Sequence, residues 1–162
     1  MTSILRTDAN HNDFKVLVKK LDAYLKITDG DEHDFYNQFN GIEHLKHVVI
    51  AYDNNKAIAC GAFKIFDSNK VEIKRMFTLP EARKKGIATK ILNELEDWAK
   101  EIGYSTIILE TGIRQTEAVA FYKRNNYKIT PNYGQYTGVE NSICFEKKKI
   151  EKLKKKKDNE KG

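Results

Sequence analysis

The sequence predicts a single α/β domain, a mixed sheet in which a strand runs into a basic turn and then an amphipathic helix. Three observations carry that expectation. A β-rich run, Val71-Glu72-Ile73-Lys74-Arg75-Met76-Phe77-Thr78-Leu79-Pro80, must end at or before its proline, which has no N–H to give a sheet. Arg83-Lys84-Lys85-Gly86 then makes a basic turn. Beyond it, Ile87, Ala88, Ile91, Leu92, Leu95, Trp98, Ala99 and Ile102 recur at helical spacing. Lys90, Asn93, Glu94, Glu96, Asp97, Lys100 and Glu101 fill the polar positions, and Gly103 supplies a left-handed stop.

The other elements follow in chain order. Ser3–Thr7 reads as a short strand. Asn12 or Asp13 caps a helix built on Phe14, Val16, Leu17, Val18, Leu21, Tyr24 and Leu25, which Asp29-Gly30-Asp31 ends. Phe35, Tyr36 and Phe39 predict a second short helix, closed by Asn40-Gly41. His47–Tyr52 and Lys56–Phe66 are strands joined by Asp53-Asn54-Asn55, a hairpin signal, and Asp67-Ser68-Asn69 turns again into Lys70–Thr78. After the long helix, Ser105–Thr111 is an apolar strand. A helix from about Gln115 to Asn125 turns Ala118, Val119, Phe121 and Tyr122 inward, and Tyr127–Thr130 and Ser142–Lys147 are the final strands. Between those two, Pro131–Gly138 carries Tyr133, Gly134 and Tyr136 and suits a mobile substrate lid.

At 162 residues the chain can bury one sizeable core. Its net charge of +6 comes entirely from residues 147–162, where nine lysines face Glu151, Asp158 and Glu160; 20 basic and 20 acidic residues remain elsewhere. A neutral body argues against nucleic acid as a partner and leaves 149–162 as a lysine-rich, solubilising tail. No apolar run approaches the ~18 residues of a membrane span, and the N-terminus lacks a signal-peptide pattern. Cys60 and Cys144 then read as reduced, buried thiols of a cytoplasmic protein. His44 and His47 lie three apart without a third ligand type nearby, so no metal is expected.

The strand, the turn and the helix start together suggest an anion site. First-turn N–H groups lack intrahelical partners and the helix dipole favours negative charge there. Gly86 removes a side chain where a phosphate would approach, Ala88 stays small, and Arg83, Lys84 and Lys85 add charge. The fingerprints G-x-x-x-x-G-K-[ST] and G-x-G-x-x-G are both absent.

Arg83-x-x-Gly86-x-Ala88 after a strand resembles the pyrophosphate loop of the GNAT superfamily, the acyl-CoA-dependent N-acyltransferases. Further on, Gln115-x-x-Ala118-x-x-Phe121-Tyr122 followed by Asn126-Tyr127 resembles its second signature, N-x-x-A-x-x-[FL]-Y-x-x-x-G-[FY]. Gln115 stands where that signature has asparagine, and Asn126 where it has glycine. The ending Asn141-Ser142-Ile143-Cys144-Phe145-Glu146 also resembles a bacterial subgroup of the superfamily. The likeness covers residues 1 to 148. It implies a GNAT-type mixed, mostly antiparallel central sheet of six to seven strands with a splayed parallel pair, flanked by about four helices. It also implies acetyl-CoA as co-substrate and a small-molecule amine as acceptor, and it leaves a homodimer open.

Residue roles follow from the same resemblance. Backbone groups of Met76 and Thr78 would pair with pantetheine, and an N–H near Phe77 would polarise the thioester carbonyl. The diphosphate would lie on the N–H groups of Lys84, Lys85, Gly86, Ile87, Ala88 and Thr89, beside Arg83. The Gln115 amide would reach the pantetheine arm, the helical pair near the N-terminus would wall the acceptor site, and Tyr122 would give a proton to the departing thiolate.

Chemistry sets the remaining requirement. An alkylammonium titrates near ~10.4, so presenting it as the neutral amine at pH 7 costs roughly 4.6 kcal/mol, and a base must take the proton. Glu72 and Glu110 lie on the two strands expected to splay, and either can serve. Strand alternation puts Glu72, Lys74 and Met76 on one face and Ile73, Arg75 and Phe77 on the other. No Ser-His-Asp or Cys-His arrangement stands out, which favours direct attack without an acyl-enzyme. The competing reading is an acyl-CoA-binding sensor or protein-interaction module of the same fold without turnover. A nucleic-acid protein acting through the lysine tail is a third.

Overall fold

Asn54 and Asn55 both sit at left-handed φ (49° and 70°), the requirement of a two-residue type I′ turn, and close the first hairpin. The computed structural model describes residues 1–30, 41–42 and 44–148. In chain order its elements are β1 (Thr2–Thr7), α1 (Asn12–Asp29), β2 (His47–Asp53), β3 (Lys56–Ile65), β4 (Lys70–Thr78), a 3₁₀ turn (Pro80–Ala82) and α2 (Ile87–Glu101). There follow β5 (Thr106–Gly112), α3 (Thr116–Arg124), β6 (Lys128–Thr130), a second 3₁₀ turn (Gly134–Tyr136) and β7 (Ser142–Lys148). The strands form one seven-stranded sheet in the order β1-β2-β3-β4-β5-β7-β6. The pairs β1–β2, β2–β3, β5–β7 and β6–β7 are antiparallel. β4 and β5 are parallel, with a register of three pairs, Lys70 to Glu72 against Thr106 to Ile108.

Packing divides the chain into two units, Met1–Lys64 with Ile73–Leu95, and Ile65–Glu72 with Glu96–Gly162. In the first, α1 buries Phe14, Leu17, Val18 and Leu21, whereas Val16 and Tyr24, expected on its apolar face, are exposed. The helix starts one residue earlier than Asn12 or Asp13 capping would require. His11 is the cap, its Nδ1 accepting from the Asp13 N–H at 3.1 Å. Gly30, at φ 57°, ends the helix. The second helix expected around Phe35, Tyr36 and Phe39 lies outside the described residues, as do Asp31 and the tail 149–162.

β4 carries the irregularity of this unit. Arg75 is buried and left-handed at φ 59°, uncommon for a residue with a Cβ. Three contacts hold it there: its guanidinium donates to Asp22 and to the Val18 carbonyl of α1, and its own carbonyl accepts from the Cys60 thiol at 3.5 Å. Opposite, Gly61 leaves room for Met76; a Cβ there would also come within 2.8 Å of Ile91 and 3.0 Å of Leu95.

In the second unit, β7 lies between β5 and β6, pairing with Thr106 to Gly112 on one side and Lys128 to Thr130 on the other. Along α3 only Tyr122 is fully buried, while Ala118, Val119 and Phe121 are half-buried. Asn126 takes left-handed φ (70°), as a helix stop requires. Two expectations about α2 fail. Ile102 is 41% exposed, and Glu96, placed on the polar side, is 0% exposed. Burial of that carboxylate is tolerated because Tyr127 donates to its Oε2 at 2.7 Å and the Lys147 ammonium lies 3.2 and 3.3 Å from its two oxygens. In the 131–138 segment Tyr136 is 2% exposed and sits in a 3₁₀ turn, while Pro131, Gly134, Thr137 and Gly138 are exposed.

Candidate active site

The basic turn is shaped by its backbone. Lys84 and Gly86 have positive φ (65° and 77°) and Lys85 between them does not, the alternation of hand from which anion-binding nests are built. The Lys90 N–H reaches Gly86 O at 3.2 Å, so α2 begins just after Gly86, and the first-turn N–H groups of Ile87, Ala88 and Thr89 have no intrahelical acceptor. A Cβ on Gly86 would meet nothing within 4 Å, so this surface is open to a phosphate. Lys84 and Lys85 are exposed. Arg83, expected to add charge beside Lys84 and Lys85, is anchored. Its Nε donates to Thr78 O at 3.0 Å and its guanidinium lies over the rings of Tyr24 (5.7 Å) and Phe77 (6.0 Å). The same bond occupies one lone pair of the Thr78 carbonyl. In β4, Phe77 is buried and Met76 and Thr78 are half-buried.

Within the second unit the two carboxylate candidates share one neighbourhood. Glu72, 1% exposed, accepts at Oε2 from the Tyr133 hydroxyl at 2.6 Å. Burial first, then the Glu72 charge and this hydrogen bond, raise the Tyr133 phenol far above its ordinary range. Tyr136 is raised in the same way, by burial and then by the charges of Glu110 and Glu72. Burial also pushes the Cys144 thiol up to about 11, with Glu110 and Glu72 adding to it against a hydrogen bond from the Tyr133 backbone. Glu110, half-buried, pairs in register with Cys144. Glu72, Glu110, Tyr133, Tyr136 and Cys144 are therefore close enough to feel one another's charge.

Tyr122 stands in an aromatic group, its ring 5.7 Å from Tyr127 and 6.0 Å from Phe145. Burial alone raises its phenol, so it stays protonated at neutral pH. Gln115 is the residue before α3; its side chain makes no cap hydrogen bond, while its N–H donates to Gly112 O at 3.0 Å. His47, weighed as a metal ligand, stacks on Phe63 with centroids 4.5 Å apart.

Sequence reasoning assigned Tyr133 and Tyr136 to a lid and missed them as partners of the carboxylates. The signal was the pair of tyrosines flanking Gly134, one just before the 3₁₀ turn and one at its end. Their rings meet edge to face at 5.8 Å.

This fold is that of an acyltransferase family. The sequence profile of the acetyltransferase (GNAT) family matches residues 16–127, and the chain belongs to that family. It is 32% identical over 100 residues to an IAA acetyltransferase of Azospirillum brasilense, an alignment covering 61% of this chain and 65% of that protein. The chain thus spans just under two thirds of that relative's length. Its fold matches a candidate acyl-CoA N-acyltransferase of Klebsiella pneumoniae with a TM-score of 0.78 and 26% identity, over 92% of this chain and 98% of that one. A PaiA N-acetyltransferase of Thermoplasma acidophilum, solved in complex with coenzyme A, shares the fold at a TM-score of 0.69 and 20% identity, over 91% and 99% of the two chains. No helix among the described residues is long and apolar enough to cross a membrane.

Proposed function

We propose that this protein is an N-acetyltransferase that moves the acetyl group of acetyl-CoA to a primary amine of a small molecule, by direct attack and without an acyl-enzyme. The observation that carries the reading is the buried Glu72 carboxylate, held by Tyr133 beside Glu110, in a chain of the GNAT family. Residues 1–148 form the transferase and 149–162 a solubilising tail, in a cytoplasmic enzyme.

The nest from Lys84 to Thr89 takes the diphosphate, with Lys84 and Lys85 supplying charge and Arg83 bracing the turn through Thr78. Backbone groups of Met76 and Thr78 and the Gln115 amide hold the pantetheine arm. The Phe77 N–H polarises the thioester carbonyl. Glu72 accepts the ammonium proton, with Glu110 as the alternative base. The neutral nitrogen attacks the carbonyl carbon, the C–S bond breaks, and the Tyr122 phenol gives its proton to the departing sulfur; the new amide nitrogen sheds its surplus proton to water, from which Tyr122 regains its own.

The test is free-thiol release from acetyl-CoA against a panel of small amines, for the wild type and Tyr122→Phe. Amine-dependent release, with kcat falling at least ~100-fold in the variant and acetyl-CoA affinity unchanged, supports the reading. Binding of acetyl-CoA with no amine acetylated points instead to an acyl-CoA sensor or interaction module. Failure to bind acetyl-CoA removes the assignment of Arg83 to Thr89 and the function with it.

A further inference from the structure

Glu72 is sealed as well as central: 1% of it meets solvent. The hydroxyl that reaches it belongs to Tyr133, a residue only half-buried. The Tyr133 ring is fixed from two sides, edge to face with Phe66 at 5.2 Å and with Tyr136 at 5.8 Å. Its neighbour Asn132 pins the loop, donating from Nδ2 to Val139 O at 2.9 Å and Ser142 O at 3.1 Å. A carboxylate covered in this way is not placed to take a proton from an acceptor by contact. A phenol can accept at its oxygen while donating its own hydrogen.

We infer that Tyr133 is a catalytic relay: its oxygen takes the proton of the acceptor ammonium while its own proton passes to Glu72 Oε2. The inference rests on the reading of Glu72 as base. In the step an N–H bond of the ammonium breaks and a new O–H bond forms at Tyr133, whose former O–H bond breaks as one forms at Glu72. The products are a neutral amine, an unchanged phenol and a neutral Glu72. Tyr133 never ionises, in keeping with the way burial and the Glu72 charge hold its proton on.

The experiment compares Tyr133→Phe and Glu72→Gln on two small amines, propylamine, an ammonium at pH 7, and methoxyamine, neutral at pH 7. Melting temperature and acetyl-CoA affinity are followed in parallel. The expected result is that each variant loses about 100-fold in kcat/KM for propylamine and less than about threefold for methoxyamine. Equal losses on both amines overturn the relay. A selective loss in Glu72→Gln alone also overturns it, and leaves Glu72 a base reached by another route. No selective loss in either variant, or no transfer by the wild type to either amine, overturns the base assignment and the relay with it. Should Tyr133→Phe not fold, a proton inventory on the wild type decides: two protons in flight give a curved dependence on deuterium fraction with propylamine, and a straight line overturns the relay.

Discussion

Glu96 shows what a single buried charge demands. Its carboxylate is held by Tyr127 and by Lys147, whose ammonium also donates to Asn125 O at 3.0 Å. Lys147→Met should therefore cost about 3–5 kcal/mol, because it strands the carboxylate, while Lys147→Met with Glu96→Leu should recover much of that; urea unfolding of both variants measures the difference. At Gly61, substitution by alanine drives a Cβ into Met76 and Ile91, and stability should fall by about 1–3 kcal/mol in the same assay. Residues of this kind divide by how far away their cause lies. Gly103 and Asn126 were legible because a left-handed stop is a local demand. Glu96 was not, since a helical pattern gives an angle around the axis and says nothing of a tyrosine 31 positions later. Glu72 could be named from its place on a strand. Its partner Tyr133 lies 61 positions away, so only the folded chain joins them.

Turns carry the predictions at the level of elements. Gly86 meets no protein atom, so Gly86→Ala should cost only the left-handed backbone, about 1 kcal/mol, yet weaken acetyl-CoA by filling the open surface of the nest. Calorimetric titration with acetyl-CoA, beside a melting curve, separates the two effects. In the β2–β3 hairpin, Asn55→Gly should raise stability by about 0.5 kcal/mol, since glycine takes φ 70° without strain. Element positions were read well because each is bounded by turn chemistry: β4 ends at Thr78 before Pro80, and α2 opens after Gly86. The 131–138 loop was read less fully for the opposite reason. Glycine and proline mark a change of direction, and they do not tell whether the tyrosines between them face water or a carboxylate.

At the scale of the whole molecule, buried thiols and phenols weaken the fold at alkaline pH, Cys60 and Tyr52 among them. Burial pushes the Cys60 thiol from an ordinary 9.0 up to about 12, and burial with the Asp13 hydrogen bond pushes Tyr52 from 10.0 up to about 12. Above pH 9 the unfolded chain releases these protons while the folded one keeps them, so stability is full below pH 9 and falls as pH climbs towards 12. Cys60→Ala should flatten the first part of that decline, which melting temperatures between pH 8 and 11 would register. The family was legible from two motifs because each is a local device, whereas the sheet order was not, since it depends on which strands meet last. Here that order has a temporal meaning. β7 is read out after β6 yet lies inside it, so a ribosome delivers the outer strand before the one that must hold it. Until residues 142–148 emerge, β5 presents its apolar Ile107, Ile108 and Leu109 beside an unpaired backbone, a template for any other nascent strand. Translation that stalls in that interval should yield a sticky polypeptide, and the speed of decoding between Thr130 and Ser142 should then bear on how much folded protein a cell obtains.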